Sequence, residues 1–284
     1  MRLPTRLRRA ASIPWRYAWS LRFALSHRDL FSDISSYCQF IGYPRSGHTL
    51  VYALLNAHPD VVLSNELGAL RFLDLGFSRA QLFSLILRAD RRFAERGYRF
   101  QGYEYQVPRQ WQGRFRRLRV IGDKDGGRDT TRLGKDPARL ERLRGRVAIP
   151  VRFIHVVRNP YDVITTIVRR RNERNEPTTL EEVVERSGRA LSTVERILRE
   201  SAGDMMLTVR HEDLVREPKP VLRRLCAHLG VEAEEAYLED CARIVFPSAR
   251  KSRDAAEWTP RLVERVRAES IDRYEFLAGY SFQS

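Results

Sequence analysis

Residues 37–50 read Y-C-Q-F-I-G-Y-P-R-S-G-H-T-L, and this stretch decides the fold. The apolar run that ends at Gly42 reads as a buried strand. Gly42-Tyr43-Pro44-Arg45-Ser46-Gly47 is a tight turn bounded by two glycines, and Thr49 to His58 reads as a helix ending before Pro59. A strand, a glycine-bounded loop and a helix aim backbone N–H groups and the positive end of a helix dipole at one spot. Such a spot suits an anion.

The spacing is G-x-x-x-x-G-H-T. A nucleoside-triphosphate loop carries lysine where His48 stands, so that its ammonium can reach the β- and γ-phosphates. Here the basic side chain is Arg45, inside the loop. The pattern keeps a phosphate cradle and alters the triphosphate clamp. An ordinary strand-to-helix turn is the plain alternative for this stretch taken alone.

Working outward, the 284 residues suffice for one large α/β domain or two small ones, and 43% hydrophobic residues can supply a sizeable core. There are 51 basic residues against 36 acidic, a formal net charge of +15. That charge points to an anionic partner, or else to a solvated basic surface. Arginines cluster at 6–9, 114–119 and 169–174. Cys38, Cys226 and Cys241 have neither metal nor redox spacing, which fits buried thiols in a reducing, cytoplasmic setting. No apolar run is long enough to span a bilayer. Residues 1–35 form a basic arm containing Trp15, Trp19 and Phe23. Two readings stay open for it: a helix packed on the domain, or a peripheral contact with an anionic membrane.

Along the chain, Val61-Val62-Leu63 reads as a second strand, with Glu66 just past its end. A carboxylate there is a candidate general base, and equally a first-turn acid of the next helix. Residues 78–96 read as a helix. Residues 97–113, aromatic and glycine-bounded, read as a cleft wall or a packed loop. Leu118 to Gly122 is a strand followed by Lys124, which would bring positive charge to a developing anion. Arg132 to Arg144 reads as one helix and Val151 to Val157 as a strand. Arg158-Asn159-Pro160 turns into another helix, and 180–200 is a long helix. Met205 to Val209 is the last strand. Pro220 to Leu229 is helical, and a final helix spans about 260–277. Strands alternate with helices, so the expectation is an α/β single domain over 36–284, with a P-loop-like, mostly parallel sheet covered on both faces.

Two separated stretches resemble the sulfotransferases that use 3′-phosphoadenosine 5′-phosphosulfate (PAPS). Gly42 to Leu50 resembles their 5′-phosphosulfate loop. Val157-Arg158-Asn159-Pro160-Tyr161-Asp162-Val163-Ile164-Thr165-Thr166 resembles their 3′-phosphate motif. Weaker similarity covers 211–215 and 258–280. The resemblance implies that Arg45, Ser46, Gly47, His48 and Thr49 hold the 5′-phosphosulfate and that Arg158 and Thr166 hold the 3′-phosphate. It adds His211, Arg250 and Lys251 to the donor contacts and puts Lys124 beside the transferring group. The stretch 56–61 with Glu66 is most similar to the carbohydrate and protein-tyrosine branches, in which a glutamate at this place is the base. The loop lacks the adenine-stacking tryptophan of the cytosolic branch, whose position Leu50 takes.

The implied activity is in-line transfer of a sulfonate from PAPS to a hydroxyl of a small molecule, lipid or carbohydrate, with no metal and no nucleic-acid partner. A P-loop small-molecule kinase is the nearest rival. Against it stand the missing loop lysine and the absence of an evident magnesium-binding aspartate after an apolar strand. A basic nucleic-acid or membrane module uses the charge but neither motif.

Overall fold

The computed structural model describes residues 12–200 and 205–284. Its strands are β1 (Ser36–Ile41), β2 (Val61–Asn65), β3 (Arg99–Phe100), β4 (Tyr103–Glu104), β5 (Val120–Lys124), β6 (Val151–Val157) and β7 (Met206–Arg210). Five of them form one sheet in the order β2-β5-β1-β6-β7, every neighbouring pair parallel. β1 sits at the centre, and all six of its residues are buried. Parallel strands need crossovers, and the helices that make them cover both faces.

The helices are α1 (Ile13–Ser26), α2 (His48–Leu55), α3 (Ala69–Asp74), α4 (Arg79–Ala94), α5 (Gly126–Lys135), α6 (Ala138–Val147), α7 (Pro160–Asn172), α8 (Leu180–Glu200), α9 (His211–Arg216), α10 (Pro218–Leu229), α11 (Glu235–Arg243) and α12 (Pro260–Val266). Alternate strand residues point to opposite faces. Cys38, Phe40, Leu63, Ile154 and Val156 pack with α2, α10 and α11. Tyr37, Ile41, Val62, Ile121 and Phe153 pack with α4, α6 and α8. A third apolar cluster lies where α7, α8 and α12 meet the last residues of the chain.

Several boundaries differ from the sequence reading, each for a local reason. The span read as one helix over 132–144 is two, because Pro137 lacks the N–H that would carry the helix on. The last helix ends at Val266. A wider turn over Arg267–Ile271 and a tight one over Glu275–Leu277 follow. Helix α11 has no counterpart in the sequence reading. By contrast, Ser78 and Gln81 form a reciprocal cap at the start of α4, and Gly230 closes α10 in the left-handed region, where reading by caps works.

Of the basic arm, α1 packs along α4, with Trp19 and Phe23 half-buried against the core. Trp15 stacks on Trp19, and the Arg88 guanidinium lies 4.5 and 4.4 Å from the two ring centres. The ridge thus packs on the domain through Trp19 and Phe23, while Trp15 stays 49% exposed. The arginines at 6–9 lie outside the described residues. Among the described residues no helix is long and apolar enough to cross a membrane, and the three cysteines are buried and unpaired.

Candidate active site

The chain leaves β1 for β2 on one side, returns to β5, and then crosses to β6 and β7 on the other. Such a reversal opens a crevice outside the carboxyl ends of the strands. Each of the five strands ends there on a candidate residue. β1 runs into the glycine loop, β2 into Glu66, β5 ends on Lys124, β6 runs into Arg158 and β7 into His211.

The loop is made by backbone that side chains disfavour. Gly42, Arg45 and Gly47 have φ of 132°, 73° and 101°. A Cβ on Gly47 would stand 2.5 Å from Nδ1 of His211, so glycine is required there by space as well as by φ. The Ser46 hydroxyl donates to Tyr43 O at 3.0 Å, and the Gly42 N–H donates to Thr130 Oγ1 at 2.8 Å. The Leu50 N–H donates to Gly47 O, which leaves the N–H groups of His48 and Thr49 ahead of the first helical bond. The His48 ring turns inward. Its Nε2 is 3.1 Å from Ile41 O and must carry the ring proton. Burial, with help from Lys124, lowers its pKa to about 3. Where a triphosphate loop has a mobile cation, this chain has a neutral strut, and what His48 presents to the cleft is its N–H. Arg45 donates to Gln101 Oε1 from the β3–β4 hairpin, which turns the aromatic stretch 97–113 into a strap beside the loop.

Lys124 is 3% exposed. Its Nζ donates to Glu66 Oε1 at 3.1 Å and to Thr49 Oγ1 at 3.3 Å, and lies 5.9 and 5.1 Å from the ring centres of Tyr52 and Phe100. Burial lowers its pKa, with Glu66 opposing. The pairing follows from register: Asn65 stands opposite Lys124, and the next N–H, that of Glu66, donates to Lys124 O. Glu66 has φ of 59° and a side chain 40% exposed, so it faces the cleft rather than serving as a helix acid. Arg128 lies 3.7 Å from its other oxygen.

Asp123, which the sequence reading passed over, builds this corner. Its carboxylate accepts from Ser64 Oγ and from the N–H groups of Leu67, Gly68 and Ala69, at 2.8–3.1 Å. It pins the turn that carries Glu66. Asp123, Asp125 and Asp129 bring oxygens within 4.8 Å of one another, so an aspartate does follow an apolar strand, contrary to the sequence reading. Each is engaged: Arg128 pairs with Asp125, and Arg132 and Gln39 bind Asp129.

At the other end of the crevice Arg158 is 9% exposed, and burial lowers its pKa. It donates to Arg250 O. The segment after Arg250 lies along α7. There the buried cation is Arg253, bonded to Asp162 with side chains 2% and 5% exposed. Arg250 and Lys251 are exposed, and Lys251 Nζ donates to Gln283 O. Glu212 ties the Asn159 N–H to the Tyr280 hydroxyl. Arg158 Nε, Thr166 Oγ1 and His211 Nδ1 are buried without a partner among the described residues. A buried unpaired polar group costs about 1–3 kcal/mol. A guanidinium, a hydroxyl and an imidazole are a set that phosphate oxygens would satisfy, so the residues fit a phosphorylated nucleotide.

Burial holds the pKa of His155 and His211 at about 3 as well, against a usual 6.5. Below pH 6.5 an unfolded chain protonates these rings while the folded one does not, so this contribution to stability is lost as pH falls. Asp90 and Asp123, raised to about 6 chiefly by burial, bind protons in the folded state and oppose it. We therefore expect the ring NMR shifts of His48 and His155 to remain those of neutral imidazole from pH 8 to about pH 5.

A sequence model of the sulfotransferase family matches residues 39–235, a span that takes in the carboxyl ends of all five sheet strands. The chain belongs to that family and is a sulfotransferase. Its fold is similar to that of sulfotransferase STF9 from Mycobacterium avium, at 12% identity over 92% of this chain and 82% of that one, with a TM-score of 0.52. It is also similar to the sulfotransferase domain from the curacin biosynthetic pathway, at 18% identity, 85% and 98% coverage and a TM-score of 0.50. Sulfotransferase STF1 from Mycobacterium tuberculosis H37Rv gives 11%, 88% and 81%, and 0.50. No curated protein sequence matches the chain.

Proposed function

We propose that the enzyme moves a sulfonate from PAPS to the hydroxyl of a small-molecule, lipid or carbohydrate acceptor, with Glu66 as base. The observation that carries this reading is the Lys124–Glu66 pair beside the anion-binding loop: a buried cation and a half-exposed carboxylate at neighbouring strand ends. Bound PAPS would supply an activated sulfonate on a phosphate leaving group. The loop N–H groups, Ser46, Thr49 and Arg45 orient its 5′ end. Lys124 and Arg45 face the charge that grows on the peripheral and leaving oxygens. Glu66 takes the proton of the acceptor oxygen as that oxygen attacks in line. Arg158, Thr166 and His211 hold the 3′-phosphate end, with Arg250 and Lys251 at its margin. Phe100, Tyr103 and Tyr105 on the strap form the acceptor wall.

The test is transfer of labelled sulfonate from PAPS to hydroxyl acceptors, with thermal shift by the adenosine bisphosphate PAP set against ATP plus magnesium. A PAP-specific shift supports the reading. A shift only with ATP and magnesium would overturn the assignment of PAPS as the donor held here. Arg158→Ala should weaken PAP binding by about tenfold to a hundredfold, the worth of a charge-assisted contact, and leave adenosine 5′-phosphosulfate binding nearly unchanged. Isothermal titration with both ligands checks this. Equal losses for the two would move Arg158 away from the 3′ end.

A further inference from the structure

A second cavity lies behind the donor loop, between α7 and α8, with a volume of about 190 Å³. Val163, Ile164 and Ile167 wall it on one side and Val183 and Leu191 on the other. Tyr43 and Pro44 of the loop close its end. Two arginines, Arg171 and Arg186, also line it. They are only loosely paired, Arg171 Nε at 3.8 Å from Glu176 and Arg186 Nη2 at 4.0 Å from Glu182, beyond hydrogen-bond reach.

This cavity is separate from the cleft. Its α7 residues form one helical stripe, spaced three and four apart. Asp162 and Thr165 face away from that stripe and bond to Arg253 and Trp258. The Lys124–Glu66 pair lies on β5 and β2, across β1 from the strand that leads into α7. An acceptor held at Glu66 would therefore not occupy it.

An apolar pocket with two arginines on its wall, neither in hydrogen-bond contact with the carboxylate it pairs with, matches one chemistry. We infer that the cavity binds a single-chain anionic amphiphile, its tail against α7, α8 and Pro44 and its head between Arg171 and Arg186. Apolar burial supplies the attraction for the tail, and the bidentate geometry of the guanidiniums selects a carboxylate or sulfate head. Tyr43 connects the two sites. Its ring lines the cavity, its carbonyl holds Ser46, and its hydroxyl is buried beside Arg158 and Glu212.

The experiment titrates the full chain with decanoate, decyl sulfate and decanol below their aggregation limits, by calorimetry. Saturable binding of either anion, about tenfold to a hundredfold tighter than decanol, is expected. Which of the two is tighter distinguishes a carboxylate source from a sulfate ester. Ala190 on α8 also lines the cavity, so Ala190→Trp, which fills it, should abolish binding, and Arg171→Ala with Arg186→Ala should remove the preference for the anions. Absence of saturable binding, or a folded Ala190→Trp protein that binds as wild type does, overturns the inference. Should Ala190→Trp not fold, the arginine variant decides: an undiminished preference for decanoate over decanol also overturns it. The PAP thermal shift, run on the same samples, reports the donor site independently, so failure here and failure of the donor reading are distinguishable.

Discussion

Glu66→Gln should lower turnover by about 10²–10⁴, the usual worth of a positioned acid–base group, while the PAP-induced thermal shift stays at the wild-type value. The substitution keeps the shape. Asp123 fixes the N–H groups that follow Glu66, and the Glu66 N–H itself is held by Lys124 O, so neither contact depends on the carboxylate. Glutamine Oε1 can still accept from Lys124 Nζ. What disappears is the capacity to take a proton, so kcat and kcat/KM should fall together. A second effect has a definite sign. Glu66 is the main group opposing the burial-driven lowering of the Lys124 pKa. Without that charge the ammonium deprotonates at lower pH, and the alkaline limb of the residual pH–rate profile should shift toward neutrality. Turnover within a few-fold of wild type would remove Glu66 from the proton transfer.

Much of this site can be read from the sequence because each strand ends in a short local signal. Gly42 and Gly47 bracket a loop that must take positive φ, Pro160 starts α7 at its first position, and Gly230 stops α10. Alternating strands and helices yield the parallel sheet. What stayed hidden depends on contacts distant in sequence. Nothing near Asp123 says that its carboxylate will collect N–H groups some 55 residues away. Gln101 reaches Arg45, and Glu212 joins Asn159 to Tyr280, only after the sheet has formed. Arg253 shows the same limit from another side. The basic run 250–253 is legible as charge, but which member is buried depends on where Asp162 stands, and that is fixed by α7. His48 is the instructive case. Its position in the loop pattern is that of a cation, yet burial makes it a neutral support for the strand end.

Lys124→Met should lower turnover by about 10²–10³, equivalent to roughly 2.7–4 kcal/mol of lost stabilisation of the charge that develops during transfer. Methionine is the informative replacement because it fills the slot between Tyr52 and Phe100 without the charge. Lys124→Ala would add a void to the same loss. The fold should tolerate the methionine variant. Burying an ammonium is costly in itself, and an apolar replacement of similar volume is often neutral or stabilising. Glu66 would not be stranded, since it is half-exposed and keeps Arg128 at 3.7 Å. Melting temperature should therefore hold while turnover falls. On the proposed mechanism Lys124 orients the carboxylate that accepts the proton and also faces the leaving oxygen, so the two residues should act as a unit. The double variant Lys124→Met/Glu66→Gln should be scarcely slower than the slower single variant, a departure from additivity that a double-mutant cycle measures directly. Fully additive losses would mean that Lys124 and Glu66 serve different steps, and that their 3.1 Å contact is incidental to the chemistry.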